Sequence, residues 1–171
     1  MDHSSGGERA LANRRWKECH LDTYLRTGGA EGHLIDMRPS GGYRFTPTLL
    51  LRVLGRRTGQ PRINPLIYGR VRGEVVVVAS KGGAACHPAW FLNLTHSREA
   101  AYQIATQAFR CTWRAPSSTE RAKLWEFMVA GYPPYETYQA MTSREIPLVI
   151  LAPAEPIAVF REESIAIEAR S

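Results

Sequence analysis

Cysteine is scarce in this chain and widely scattered. Cys19, Cys86 and Cys111 are odd in number and form no CxxC pair, which argues against a disulfide framework or a structural zinc site; no metal is expected. A reducing cytoplasm is the natural compartment for such a chain. No apolar run approaches the ~20 residues that a helix needs to cross a bilayer. Residues 1–15 are polar and charged, unlike a signal peptide. The GxxxxGK[ST] order of a nucleotide-binding phosphate loop is missing. Internal repeats and a domain-boundary linker are missing too.

What is present fits one domain of ordinary size. The chain has 171 residues, 44% of them hydrophobic, enough for a real core. The formal net charge is +6 and the pI about 9.5. Such an excess suits an anionic small molecule, an anionic membrane surface or nucleic acid, or is simply solvated. Nucleic acid is disfavoured, because the arginines fall in turns rather than along a helix or an aromatic-studded strand.

Hydrophobic periodicity divides the chain coarsely. Residues 1–7 read as a disordered start, 8–160 as one domain opening with a helix over 8–26, and 161–171 as a tail. The first helix has a thin apolar face (Leu11, Trp16, Leu21, Leu25) and basic residues Arg9, Arg14, Arg15 and Lys17 in its first half. Residues 30–46 read as loop. Strands are expected over 47–53, 62–68 and 74–80, the last carrying the run Val75 to Val78. A short helix follows over 88–95 with Pro88 at its first helical position. A hairpin is expected over 100–105 and 108–115, then a helix over 117–130 whose Ser117 and Glu120 have capping-box spacing. A strand over 147–151 is extended or packed upon by 157–160. Roughly six strands without a helix between each pair disfavour a parallel doubly wound sheet. The fold class is mainly β with peripheral helices (α+β), an antiparallel small barrel.

Three segments carry chemistry. The first is Gly55-Arg56-Arg57-Thr58-Gly59-Gln60-Pro61-Arg62, a turn with three arginines whose forks suit phosphate or carboxylate oxygens; an ordinary exposed hairpin turn is the alternative. The second runs Ala79-Ser80-Lys81-Gly82-Gly83 and on through Cys86-His87-Pro88-Ala89-Trp90. Here a strand end, a lysine, two glycines and a helix start converge as an anion site would require. His87 could bond a cofactor oxygen, or cap the turn before Pro88. His3, His20, His33 and His96 show no ligand spacing. The third is Tyr132-Pro133-Pro134-Tyr135-Glu136-Thr137-Tyr138, three phenols suited to an aromatic substrate or to a cluster covering the barrel end.

Taken together, these blocks resemble the deazaflavin-dependent nitroreductase family, over residues 48–153. The most specific piece is SKGG…HPxWxxNL at residues 80–94. GRRTGQPRxNPLIY upstream, the tyrosine segment and Arg144-Glu145-Ile146-Pro147 support it. The resemblance implies a split β-barrel related to flavin reductases and pyridoxamine oxidases. It also implies coenzyme F-420, a deazaflavin with a phosphate and an oligoglutamate tail. On that resemblance, Arg56, Arg57, Arg62 and Lys81 hold the phosphate and tail, with Thr58, Gly59, Pro65 and His87 beside them. Ser80, Gly82, Gly83 and Trp90 border the ring system. Tyr132, Tyr135 and Tyr138, with Ser80, line the acceptor pocket and serve catalysis. The implied reaction is hydride transfer to a small-molecule acceptor: a quinone, an activated alkene or a nitroaromatic. The alternatives are a flavin mononucleotide enzyme on the same barrel and a non-enzymatic module that binds cofactor or lipid. A homodimer and peripheral contact with an anionic inner-membrane face are open partner readings.

Overall fold

A computed structural model describes residues 4–162, with side chains from Arg15 onward. The first three residues of the start expected to be disordered, and the tail from 163 on, lie outside the described residues. Among the described residues seven strands are present: β1 (Leu34–Ile35), β2 (Thr46–Leu54), β3 (Pro61–Val71), β4 (Glu74–Val78), β5 (Ala100–Ile104), β6 (Gln107–Arg114) and β7 (Leu148–Ile157). Four α-helices accompany them: α1 (Ser4–Arg26), α2 (Ala89–Ser97), α3 (Ser118–Gly131) and α4 (Pro134–Ala140). The sheet order is β1-β2-β3-β4-β7-β6-β5, and β2 also pairs with β5. That last pairing closes β2 to β7 into a six-stranded barrel in which every ladder is antiparallel.

The unbroken apolar runs follow from where the helices sit. Leu49, Leu51 and Val53 point into the barrel with Val75, Val77, Val149 and Leu151. Leu50, on the other face of β2, is equally buried because α1 covers it with Tyr24 and Leu25. Val76, Val78, Leu148 and Ile150 are covered by Leu124 and Met128 of α3 and by the tyrosines that follow. A strand buried on both faces cannot show the period-2 alternation of a half-solvated one. Gly69 of β3 is where α3 comes closest: a Cβ there would stand 2.6 Å from Phe127 Cε1 and 2.7 Å from Met128 Sδ. Buried Gln103 ties the turn after α1 to the segment after β7, donating to Gly28 O at 3.1 Å and accepting from Phe160 N at 2.6 Å.

Several boundaries differ from the sequence reading. The first helix opens at Ser4, four residues early. Residues 34–35 form a strand inside the stretch read as loop, because Leu34 and Ile35 pair with Pro47 and Thr46. The third strand ends at Val78, and Ser80 opens a short 3-10 turn over Lys81–Gly83 instead. Pro88 is the N-cap of α2 with extended φ −65, ψ 148, not its first helical residue. The last strand is one ten-residue run that carries Pro153 and Pro156 across an irregular register next to β6. The capping box of α3 is formed as read, with Ser117 and Glu120 exchanging hydrogen bonds.

Candidate active site

The three chemical segments meet at one end of the barrel, and α2 joins them. The turn between β2 and β3 is closed by Gly55 N donating to Gln60 O at 2.8 Å and by Gly59 N donating to Gly55 O at 2.7 Å. Thr58 Oγ1 accepts from Gln60 N at 3.3 Å, so this residue shapes the turn. Gly59 adopts φ +69 with open space where a Cβ would point. Arg56, Arg57 and Thr58 are exposed. Arg56 docks the turn on α2: its backbone N and its guanidinium both donate to Asn93 Oδ1, at 3.2 and 3.0 Å. Asn93 is buried, so the anchor is fixed rather than solvated. It stands five residues past Pro88, roughly 7.5 Å along the helix axis. The arginine turn and the Ser-Lys-Gly-Gly loop are therefore held at two points of the same helix. Pro65 is half-buried in β3, paired with Leu50.

The Ser-Lys-Gly-Gly loop takes its shape from one residue distant in sequence. Arg144 donates to Ser80 O at 2.8 Å, to Ala84 O at 2.8 Å and to Ala79 O at 3.3 Å. The same guanidinium lies 3.2 Å from His87 Nδ1. A guanidinium only donates, so Nδ1 is the acceptor in this contact. His87 thus faces Arg144 and the Phe91 ring, 5.2 Å away between centroids. Lys81 is exposed with φ +49, and its Nζ donates to Cys86 Sγ at 3.0 Å. That hydrogen bond, with the ammonium charge, holds the Cys86 thiol below its ordinary range. Trp90 turns into the barrel core and is 6% exposed, supporting the loop from beneath.

The two glycines of the loop do different things. Gly82 (φ +62) faces open space. Gly83 (φ +79) is buried, and a Cβ there would stand 2.8 Å from Tyr138 O and 3.0 Å from Met141 Cβ. The close approach at Gly83 is made by α4, which seats the tyrosine segment directly on the loop. Tyr132, Tyr135 and Tyr138 form one cluster, with ring centroids 4.9 to 6.3 Å apart. The Tyr132 and Tyr138 hydroxyls are 3.4 Å apart. Burial, with the neighbouring phenols adding to it, pushes the Tyr135 hydroxyl well up. Burial and the Tyr132 hydrogen bond do the same to Tyr138. Both stay protonated and able to donate throughout the physiological range.

Sequence reasoning assigned no role to Asn93, Arg144 or the loop that follows β1. The first two lie inside the quoted NL and REIP blocks, so a signal existed. The loop gave none. Gly42 packs against the Tyr132 ring, where a Cβ would be 2.6 Å from Cε2, and Tyr132 Oη donates to Ser40 Oγ at 3.2 Å. Two cavities of about 460 and 550 Å³ are lined by none of the site residues assigned from the sequence, although Glu145 borders the first and Pro61 and Cys111 the second.

Residues 16–153 match the family described as F420H(2)-dependent quinone reductase. The F420H(2)-dependent quinone reductase of Mycobacterium tuberculosis is 33% identical over 149 residues, which is 80% of this chain and 95% of that protein. Among solved structures, an F420-H2 dependent reductase is similar with TM-score 0.57 and 34% identity, over 61% of this chain and 93% of its own. A domain-swapped dimer is similar with TM-score 0.60 and 30% identity, over 81% and 98%. The closed antiparallel barrel, the arginine turn held on α2 and the tyrosines seated on the Ser-Lys-Gly-Gly loop all fall within the matched span, and the chain belongs to the F420H(2)-dependent quinone reductase family.

Proposed function

We propose that this chain binds reduced coenzyme F-420 at the loop and turn held by α2 and passes hydride to a quinone at the tyrosine cluster. One observation carries the reading. Gly83 lies against Tyr138, so the cofactor loop and the acceptor segment share a boundary with no room for a side chain between them. The residues suit the group. Arg56, Arg57 and Lys81 are cations on two neighbouring turns and Arg62 one at the start of β3, matched to a phosphate and several carboxylates. Asn64 Nδ2, next to Pro65, is a buried donor with no partner among the described residues. Such an orphan costs about 1–3 kcal/mol unless an acceptor meets it.

When bound, the reduced deazaflavin supplies two electrons and a proton together as hydride. The chain's own residues bind, orient and protonate. Arg56, Arg57, Arg62 and Lys81 hold the anionic end, while Thr58 and Gly59 keep the turn open. Ser80, Gly82, Gly83 and His87 present the ring edge, and Trp90 stiffens them from the core. Tyr132 and Tyr135 wall the quinone. Tyr138 Oη holds the proton that the second quinone oxygen requires, and Ser80 Oγ donates to the oxygen that gains charge.

Quinones partition into lipid, and the acceptor side carries features for meeting it. Phe45 is 68% exposed, with Tyr43 also exposed on the loop that packs on Tyr132 and Leu34 exposed on the adjoining β1. Arg44 lies over the Phe45 ring at 5.3 Å. An aromatic with an adjacent cation suits peripheral contact with an anionic membrane. No helix among the described residues is long and apolar enough to cross one.

The test is a parallel titration with oxidised F-420, flavin mononucleotide and NADP, followed by quinone turnover with Tyr138→Phe. Tight binding of the deazaflavin alone is expected, weakened by salt. The variant should bind it equally and turn over about 10²-fold more slowly, the contribution of a positioned proton donor. Preference for flavin mononucleotide, or unchanged turnover, would overturn the assignment.

A further inference from the structure

The packing of Gly83 on Tyr138 sets how closely the cofactor loop and the acceptor helix approach. It does not fix their mutual orientation, because van der Waals contact has no preferred direction, whereas hydrogen bonds do. A second, directional attachment runs through the segment that joins α4 to β7. Gln139 of α4 spends both ends of its amide on that segment: Nε2 donates to Arg144 O and Oε1 accepts from Ile146 N, each at 2.9 Å. Arg121 of α3 donates to Ile146 O at 2.9 Å, and Ile146 itself is fully buried. From this held segment the Arg144 guanidinium reaches the other way. It takes Ser80 O and Ala84 O at 2.8 Å and lies 3.2 Å from His87 Nδ1. Neighbouring Glu145 pairs with Arg121 at 3.0 Å instead, so the Arg144 fork is spent on the loop. Gln139 and Arg144 are both half-buried, where water competes less for their partners.

Tyr135 and Tyr138 stand on the same helix as Gln139, and Ser80 and His87 stand on the stretch that Arg144 grips. The chain Gln139–Arg144–Ser80 therefore couples the acceptor side to the cofactor side. Transfer between two bound partners needs the reacting atoms about 3–3.5 Å apart and aligned. Resting on the deazaflavin reading above, we propose that Arg144 and Gln139 are positioning residues for hydride transfer, forming a clamp that sets the register of the acceptor helix against the cofactor loop. Both act through the groups they hold. The clamp governs the rate of transfer rather than the affinity for either partner.

The test on the intact protein pairs calorimetric titration with oxidised F-420 and single-turnover transfer from reduced F-420 to a water-soluble naphthoquinone. Arg144→Lys keeps the charge and loses the fork. It should bind F-420 as the natural protein does and transfer hydride about 10²-fold more slowly, as a displacement of roughly 1 Å between reacting groups does. Gln139→Glu keeps the bond from Ile146 N and loses the one to Arg144 O. It should slow transfer in the same way, with F-420 affinity and melting temperature little changed. Because the two residues act in series, the double variant should be no slower than Arg144→Lys alone, whereas independent losses would multiply. Natural rates in both single variants, rate and F-420 affinity falling in parallel, or losses that multiply would overturn the clamp and leave the deazaflavin reading standing. A natural protein that neither binds F-420 nor reduces the quinone would overturn that reading, and the clamp with it.

Discussion

At the scale of single residues, adjacent glycines show how the same residue type can serve different ends. Gly82 and Gly83 both have positive φ, yet only Gly83 has backbone packed against the position of its missing Cβ. Gly82→Ala should cost about 1 kcal/mol, the strain of a left-handed residue without a clash. Gly83→Ala adds that strain to an overlap with Tyr138 O. It should destabilise by about 1–3 kcal/mol in denaturant unfolding, and it should raise the quinone KM by shifting α4. Equal behaviour of the two variants would contradict the shared boundary between loop and tyrosines. Arg144 belongs to the same scale. Its fork bridges the carbonyls of Ala79, Ser80 and Ala84 at once, a task that the point charge of a lysine cannot copy.

At the scale of elements, α3 depends on its first turn. Ser117 Oγ accepts from Glu120 N at 3.3 Å, and the Glu120 carboxylate accepts from Ser117 N at 2.8 Å and from Arg114. Arg114 and Ser117 together hold the Glu120 carboxyl down at about 2. Its folded pKa is depressed, so its contribution is fully present above the ordinary carboxylate pKa near 4.5. The contribution is lost as pH falls through about 2. Ser117→Ala should lower stability by about 1 kcal/mol at neutral pH. In an acid titration followed by circular dichroism, Glu120→Gln should flatten the loss of stability between pH 4.5 and 2. An unaltered acid profile would show that the cap is not a stabilising element.

At the scale of the whole molecule, the barrel is a rigid frame on which α2 fastens two segments far apart in sequence. A ligand that bridges both segments binds the folded chain and not the unfolded one. F-420 at 100 times its Kd should therefore raise the unfolding free energy by about 2.7 kcal/mol. Added salt should shrink that gain, because the contacts are ionic and partly exposed. Flavin mononucleotide at the same concentration should leave the melting curve in place. A melting temperature insensitive to F-420 would count against a site built from both segments.

The apolar runs, the glycine turns and the Ser117–Glu120 spacing are local signals, so the sequence by itself determined the six barrel strands, the capped helix and the barrel class. The ordered blocks at residues 55–68, 80–94, 132–138 and 144–147 likewise carried the resemblance to the family, since backbone freedom and charge are legible one residue at a time. Only the tertiary structure decided which partners those residues find. The contacts Arg56–Asn93 under the arginine turn, Ser80–Arg144 beneath the Ser-Lys-Gly-Gly loop and Ser40–Tyr132 beside Gly42 join positions 37, 64 and 92 residues apart. No propensity or periodicity carries them, because they arise only when barrel closure brings strand ends together.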